Sequence, residues 1–409
     1  MRWITRVFPV LFALLPLCAL FAARRAQTVP LYAARTGNLC GTRHFDPNGG
    51  GPRNDFGFAY ARSRHSLAPE DSASEWHDLA VTNRIGDNMP VYLGVNQRFM
   101  LIANTTEKSD SLDRFGFFNM ENSLHMAFQP HRRLTLVYSR DGFDEGSSTK
   151  EAFGMIGGFR WNGYFKAGRF RTPFGLRMDD HTVATRNSFL DFYDQKRFLP
   201  YDPRKADMGY EVGGDSGPWF ARAAFTNGDT HPLGFVNTNA QAVTAKLGMN
   251  RPDYQGAVSF YDDFHREGNP LGGSPVSARR TRWGYYGMTH WQRFALLGEV
   301  AAGTDFGYFV NPISFTLYSA KTNSLAGFAE LDWSPHRQYN MRFRYDRVEL
   351  DRSSDADVRE DNTHSRYSLE GEWVPVPFAE LRWVARRIDH QHPDDKDESQ
   401  AYVQMHFSY

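Results

Sequence analysis

Cysteine is almost missing from this chain: 409 residues contain two, Cys18 and Cys40. If Cys18 leaves with an N-terminal leader, Cys40 is alone and no intrachain disulfide can form. Net charge is also missing, since 47 basic residues meet 47 acidic ones. That balance excludes the strong positive field a nucleic-acid binder needs, so no nucleic-acid partner is expected. The apolar run at residues 8–23 is too short for a spanning helix, and a mean hydropathy of −0.56 is far from that of a helical membrane protein. No nucleophile, base and orienting residue stand at catalytic spacing. HREG and DHQHPDD sit in loops without the helical spacing of a zinc protease. The chain is therefore not expected to be an enzyme; an outer-membrane enzyme is the weakest of three options.

What the chain has is aromatic residues, 15% of the total, and glycine, 35 of them. Arg2 and Arg6, the apolar run and the small residues Ala22, Ala23 and Ala26 have the layout of a secretory signal over residues 1–26. From about residue 90 onward, apolar and polar residues alternate. In YNMRFRYD, Tyr339, Met341, Phe343 and Tyr345 oppose Asn340, Arg342, Arg344 and Asp346. Short turns such as QPHRR, WNG, GDSG, NRPD, WQR, SPHRQ and VPVP alternate with long polar loops. Trp161, Trp219, Trp291, Trp333 and Trp373 crowd the short-turn ends.

This pattern predicts an all-β fold, a transmembrane antiparallel up-and-down β-barrel in residues 90–409. About sixteen strands are expected, starting near residues 92, 113, 134, 151, 163, 207, 218, 240, 254, 281, 294, 325, 339, 365, 379 and 400. The last strand, AYVQMHFSY, alternates to a terminal aromatic, which resembles the C-terminal assembly signal of bacterial outer-membrane proteins. The expected place is the Gram-negative outer membrane, with outer-membrane lipid as partner and both barrel ends in the periplasm. A barrel of this size leaves an aqueous lumen for small ions or solutes unless something fills it. Arg342, Arg344, Glu370, Glu372, Arg382 and Arg386 point inward with both signs, so a wet lumen without a legible ion preference is expected.

The longest connection follows the fifth strand, in KAGRFRTPFGLRMDDHTVATR. Its GRFRTPFG segment resembles the GRFKxPF stretch of phosphate-selective porins. That resemblance makes Arg169, Arg171 and Arg177 candidates for an anion-attracting channel constriction. The alternative is that they balance Asp179 and Asp180 in a solvated loop.

Residues 27–89 precede the barrel and are expected in the periplasm or as a plug in its mouth. They contain CGTRH, one letter from the CxxCH attachment signature of a c-type haem. Seven glycines and prolines crowd GTRHFDPNGGGPRNDFG, which predicts tight turns rather than a helix. Signal, CGTRH segment and barrel together resemble the outer-membrane monohaem cytochrome–porin fusions, including those proposed to carry electrons inward in iron-oxidising bacteria. The resemblance implies haem c, with Cys40 as the first thioether cysteine and His44 as the proximal iron ligand. His65 is the first candidate for the sixth ligand, with His77, Met89 and Met100 behind it. Phe45, Phe56, Phe58 and Tyr60 could line the pocket. Arg43 stands where the family has its second cysteine, so at most one thioether can form. The implied function is electron transfer across the outer membrane, with a periplasmic electron carrier as partner. The alternative is a haem-free porin, general or anion-preferring, with an N-terminal plug.

Overall fold

A computed structural model describes residues 40–66, 82–106, 114–142, 148–176, 183–186, 206–228, 241–267, 276–310, 317–391 and 397–409. The signal residues 1–26, with Cys18, lie outside them. A 3-10 turn (Cys40–Thr42) leads to helix α1 (Asp55–Arg62). The strands are β1 (Arg84–Ile85), β2 (Val91–Thr106), β3 (Arg114–His131), β4 (Leu134–Asp141), β5 (Ser148–Phe159), β6 (Gly163–Arg171), β7 (Ala206–Ser216), β8 (Trp219–Thr226) and β9 (Gln241–Asn250). They continue as β10 (Tyr254–Glu267), β11 (Val276–Trp291), β12 (Phe294–Val310), β13 (Leu317–His336) and β14 (Tyr339–Glu349), then β15 (Thr363–Val376), β16 (Ala379–His390) and β17 (Glu398–Ser408). A short helix, α2 (Ala356–Asp361), lies in the connection between β14 and β15.

Strands β2 to β17 pair in sequence order, all antiparallel, and β17 pairs back onto β2. The sheet thus closes as a sixteen-stranded barrel, with β1 a two-residue addition beside β2. Closure gives the backbone groups of every strand a partner on both sides, which is what a sheet surrounded by lipid requires. The strand starts agree with the sequence pattern to within about three residues except at β11 and β13, which begin earlier. There the ladders run on to Glu267↔Val276 and Val310↔Leu317. Both extensions are at the long-loop end, where the alternation of apolar and polar residues that marks a lipid-facing strand fades.

The outer face is apolar. Val403, Met405, Phe407 and Tyr409 of the last strand are all exposed, while Gln404 and Ser408 between them are buried inward. All five tryptophans at the short-turn ends are exposed, and Trp291, Phe294 and Trp333 stack in series across neighbouring strands, as do Tyr339 and Trp373. Rings at this level suit the boundary between hydrocarbon and water. Tyr409 closes the barrel by exchanging backbone hydrogen bonds with Val95, at 2.9 and 3.0 Å.

The interior differs from the wet lumen expected. Leu176 and Val183, from the connection after β6, are buried in one apolar cluster with the inward residues Phe220, Tyr286, Leu297 and Phe328. Arg342, Arg344, Glu370, Glu372 and Arg386 do point inward, but they are buried and ion-paired. Arg382 bonds Glu380 at 2.7 Å. This part of the wall is a closed charge network, because opposite charges repeat at cross-strand positions and neutralise one another before solvent does.

Candidate functional site

Two segments of the chain occupy the lumen, and each is fixed by polar groups on a different part of the wall. The first is the N-terminal plug, residues 43–66. Asn54 caps α1, its side chain accepting from the Gly57 N–H at 2.9 Å and donating to Thr42 O at 3.0 Å. Its own N–H donates to Arg43 O at 2.9 Å, so CGTRH is bound to the start of the helix. Gly57 has to be glycine here: a Cβ would lie 2.2 Å from Arg43 O. The helix begins inside the glycine-rich stretch, contrary to the turn-only expectation, because Asn54 supplies a cap and Gly57 allows the close approach.

The plug docks at depth. Lys166, on β6, lies 3.2 Å from Asp46 of the plug and 3.0 Å from Glu211 on β7, and all three are at most 2% exposed. Asn48 donates to Glu211 at 2.9 Å, and Tyr164 donates to the same carboxylate. Phe45 packs edge-on against Tyr92, with ring centroids 4.7 Å apart. At the short-turn end, Arg53 donates to Ser408 O at 2.6 Å, and Phe58 packs on Phe378 and Tyr409.

The second segment comprises residues 172–176 and 183–186. Arg186 grips Glu299 with both terminal nitrogens, at 2.9 and 2.7 Å, and also donates to Leu176 O. Leu176 N–H donates to Glu299, Gly175 N–H to Ser259, Lys246 Nζ to Gly175 O, and Ala184 N–H to Asp346. The sequence-level expectation that this long connection enters the lumen agrees with these contacts.

The cations named for the constriction are a different matter. Tyr164, Lys166 and Phe170 are buried on the inner face of β6, and Phe165 and Ala167 are on the outer one. Arg169 and Arg171 share the outer parity; Arg169 lies opposite the exposed Met208 and donates to Thr149 O. Arg171 N–H donates to the buried Glu151 at 3.1 Å, and Arg177 lies outside the described residues. Among the described residues Lys166 and Arg186 are buried cations that tie these segments to the wall, and sequence reasoning did not name them. The period-2 parity of β6 was the available signal for Lys166.

The residues assigned to haem have other contacts in the fold. His44 makes a backbone bridge with Arg53, and its Nδ1 lies 3.2 Å from Gly51 O. The Cys40 side chain and His77 lie outside what is described. Met89 is exposed, and Met100 is buried on β2. Arg43 is buried with its guanidinium 3.3 Å from the centre of the Tyr60 ring and 5.7 Å from that of Phe56. Phe45 and Phe58 are packed on wall residues, and Phe56 is exposed. Phe56 and Tyr60 thus share the Arg43 guanidinium, and Phe45 and Phe58 pack on the barrel wall.

His65 stacks on Tyr60, with centroids 5.7 Å apart, and has a ligand atom within 4.8 Å of Glu372 and Glu380. Burial, then the Arg53 guanidinium, push its imidazole down to about 3, against opposing pulls from Glu380 and Glu372. It is neutral in any ordinary medium.

A closed sixteen-stranded barrel with an aromatic-belted exterior and an occupied, charged lumen is a porin-type fold. No protein-family model matches the sequence, and no curated protein matches it. Solved structures do match in fold. The anion-selective porin from Comamonas acidovorans is 8% identical, with a TM-score of 0.58 over 78% of this chain and 100% of that one. The outer-membrane channel DcaP of Acinetobacter baumannii is 10% identical, with a TM-score of 0.54 over 79% and 98%. A loop-deleted OmpT, an outer membrane protein of Vibrio cholerae, is 10% identical, with a TM-score of 0.53 over 79% and 100%. At these identities the likeness is one of fold.

Proposed function

We propose that this chain is an outer-membrane channel that passes small ions or solutes through a lumen narrowed by its own N-terminal plug and inward connection. The observation that carries this reading is the combination of complete barrel closure, an apolar belt outside and charged side chains inside. The names of the structural neighbours, a porin and a channel among them, support it. The plug enters from the short-turn end, where Tyr409 and the α1 helix meet, and in this reading that end faces the periplasm.

Electron transfer through a haem held by Cys40, His44 and His65 is the second reading, and it rests on the CGTRH motif. Liposome swelling with the purified full chain, produced in a host competent in cytochrome c maturation, tests the choice when paired with a pyridine haemochrome spectrum. Entry of small sugars or amino acids by a colourless protein is expected. Liposomes no more permeable than empty ones, with haem at one per chain, would overturn the channel reading.

A further inference from the structure

The chain leaving α1 meets two hairpin turns of the barrel around a cavity of about 250 Å³. Its lining includes Arg64 of the plug, Gln292 and Arg293 of the β11–β12 turn, Arg337 and Gln338 of the β13–β14 turn, and Asn340. Three arginines and three amide residues thus line one small space, with Arg293 also donating to Pro335 O and Asn340 to Asp332. Guanidinium presents paired N–H donors at the spacing of two oxygens of a carboxylate or phosphate, so several around one cavity select that shape as well as its charge.

The charge count nearby favours an anion. The single carboxylate of the lining, Glu372, is already bonded by Arg342, with Arg382 3.9 Å away. The cluster of His65, Glu372 and Glu380 has the spacing for a metal ion, but both of its carboxylates are held by arginine, Glu380 by Arg382 at 2.7 Å. A metal would have to displace a guanidinium from each, beside the further positive charge of Arg53. An oxyanion leaves both of those carboxylate–guanidinium pairs in place.

We propose that this cleft is an oxyanion site, taking one phosphate or carboxylate group. The group comes from a small solute at the mouth of the lumen or from an anionic lipid headgroup at the rim. Phe294 and Tyr339 of the aromatic belt also line the cavity, which brings the membrane edge within its reach. The site does not rest on the channel reading, because binding at equilibrium is measured without transport.

The test uses the full chain in zwitterionic detergent. Calorimetric titration with inorganic phosphate and with citrate reads the solute source. Native mass spectrometry after exposure to phosphatidylglycerol or phosphatidylcholine reads the lipid source. One saturable site per chain is expected, weakened at higher salt and at least about tenfold by Arg337→Gln, which removes one charge-assisted contact. Arg337 is on an exposed turn, and heat-modifiable gel mobility checks that the barrel of the variant has formed. A phosphatidylglycerol adduct that disappears in Arg337→Gln, with no response to free phosphate or citrate, supports the site with the headgroup as its source. The proposal is overturned if none of the anions binds, or if Arg64→Gln and Arg337→Gln both bind as tightly as the native chain. Zinc binding that is lost in His65→Ala, with no oxyanion bound, also overturns it.

Discussion

Arg43 shows how one residue alters the meaning of a motif. In CGTRH it occupies the position of the second thioether cysteine, and the fold uses it as a pin: its carbonyl holds Asn54, and its guanidinium lies 3.3 Å from the Tyr60 ring centre. A desolvated cation–π contact of this kind contributes on the order of 2 kcal/mol. Arg43→Ala is therefore expected to loosen the plug by about that amount, measured by hydrogen exchange of α1 amides, without unfolding the barrel. Gly57→Ala should do the same by forcing the helix off Arg43 O, at a cost of about 1–3 kcal/mol. His65 supplies a pH dependence. Its folded value, about 3, lies below the ordinary 6.5, so the undocked plug takes up a proton that the docked one refuses. Docking is strongest above pH 6.5 and weakens progressively as pH falls from 6.5 toward 3. NMR of the His65 ring should show no protonation from pH 8 to 5; a midpoint near 6 would contradict the docked environment. The tight turn at Gly49, Gly50 and Gly51 was legible in the sequence. The role of Arg43 was not, because it depends on Tyr60, which reaches it only once Asn54 has started a helix.

At the scale of one strand, β6 shows what alternation reveals and what it hides. Its two faces both carry aromatic residues, Tyr164 and Phe170 inside and Phe165 outside, so apolarity does not tell which face meets lipid. The arginines of the porin-like GRFRTPFG segment drew attention to Arg169 and Arg171, while the buried pairing of Lys166 with Asp46 spans 120 residues of sequence and has no local signature. Lys166→Met would remove the ammonium that Asp46 and Glu211 share, a loss of about 3–5 kcal/mol in docking. Faster cleavage of the plug by an added protease, with the barrel intact, is the expected readout. Arg171→Gln, on the outer parity, should leave the ion selectivity measured by reversal potential unchanged; a clear shift would show that it faces the lumen after all.

For the whole molecule, barrel closure was the most legible property. Turn lengths and strand parity are local, and sixteen strands with an aromatic belt follow from repeating them. The filling of the barrel was less legible, because an inward charged side chain reads the same whether it meets water or a partner. Glu370 takes three arginines, Arg342, Arg344 and Arg386, from two neighbouring strands, and Glu299 takes Arg186 from a segment more than a hundred residues away. These pairings leave a barrel whose lumen is occupied in part by its own chain. The most direct test is single-channel recording in planar bilayers of the full chain beside Lys166→Met. Discrete conductance steps are expected from the native protein, and larger or more frequent openings from the variant as its plug loosens. Silent membranes with both proteins, each shown by heat-modifiable mobility to be a folded barrel, would contradict the account.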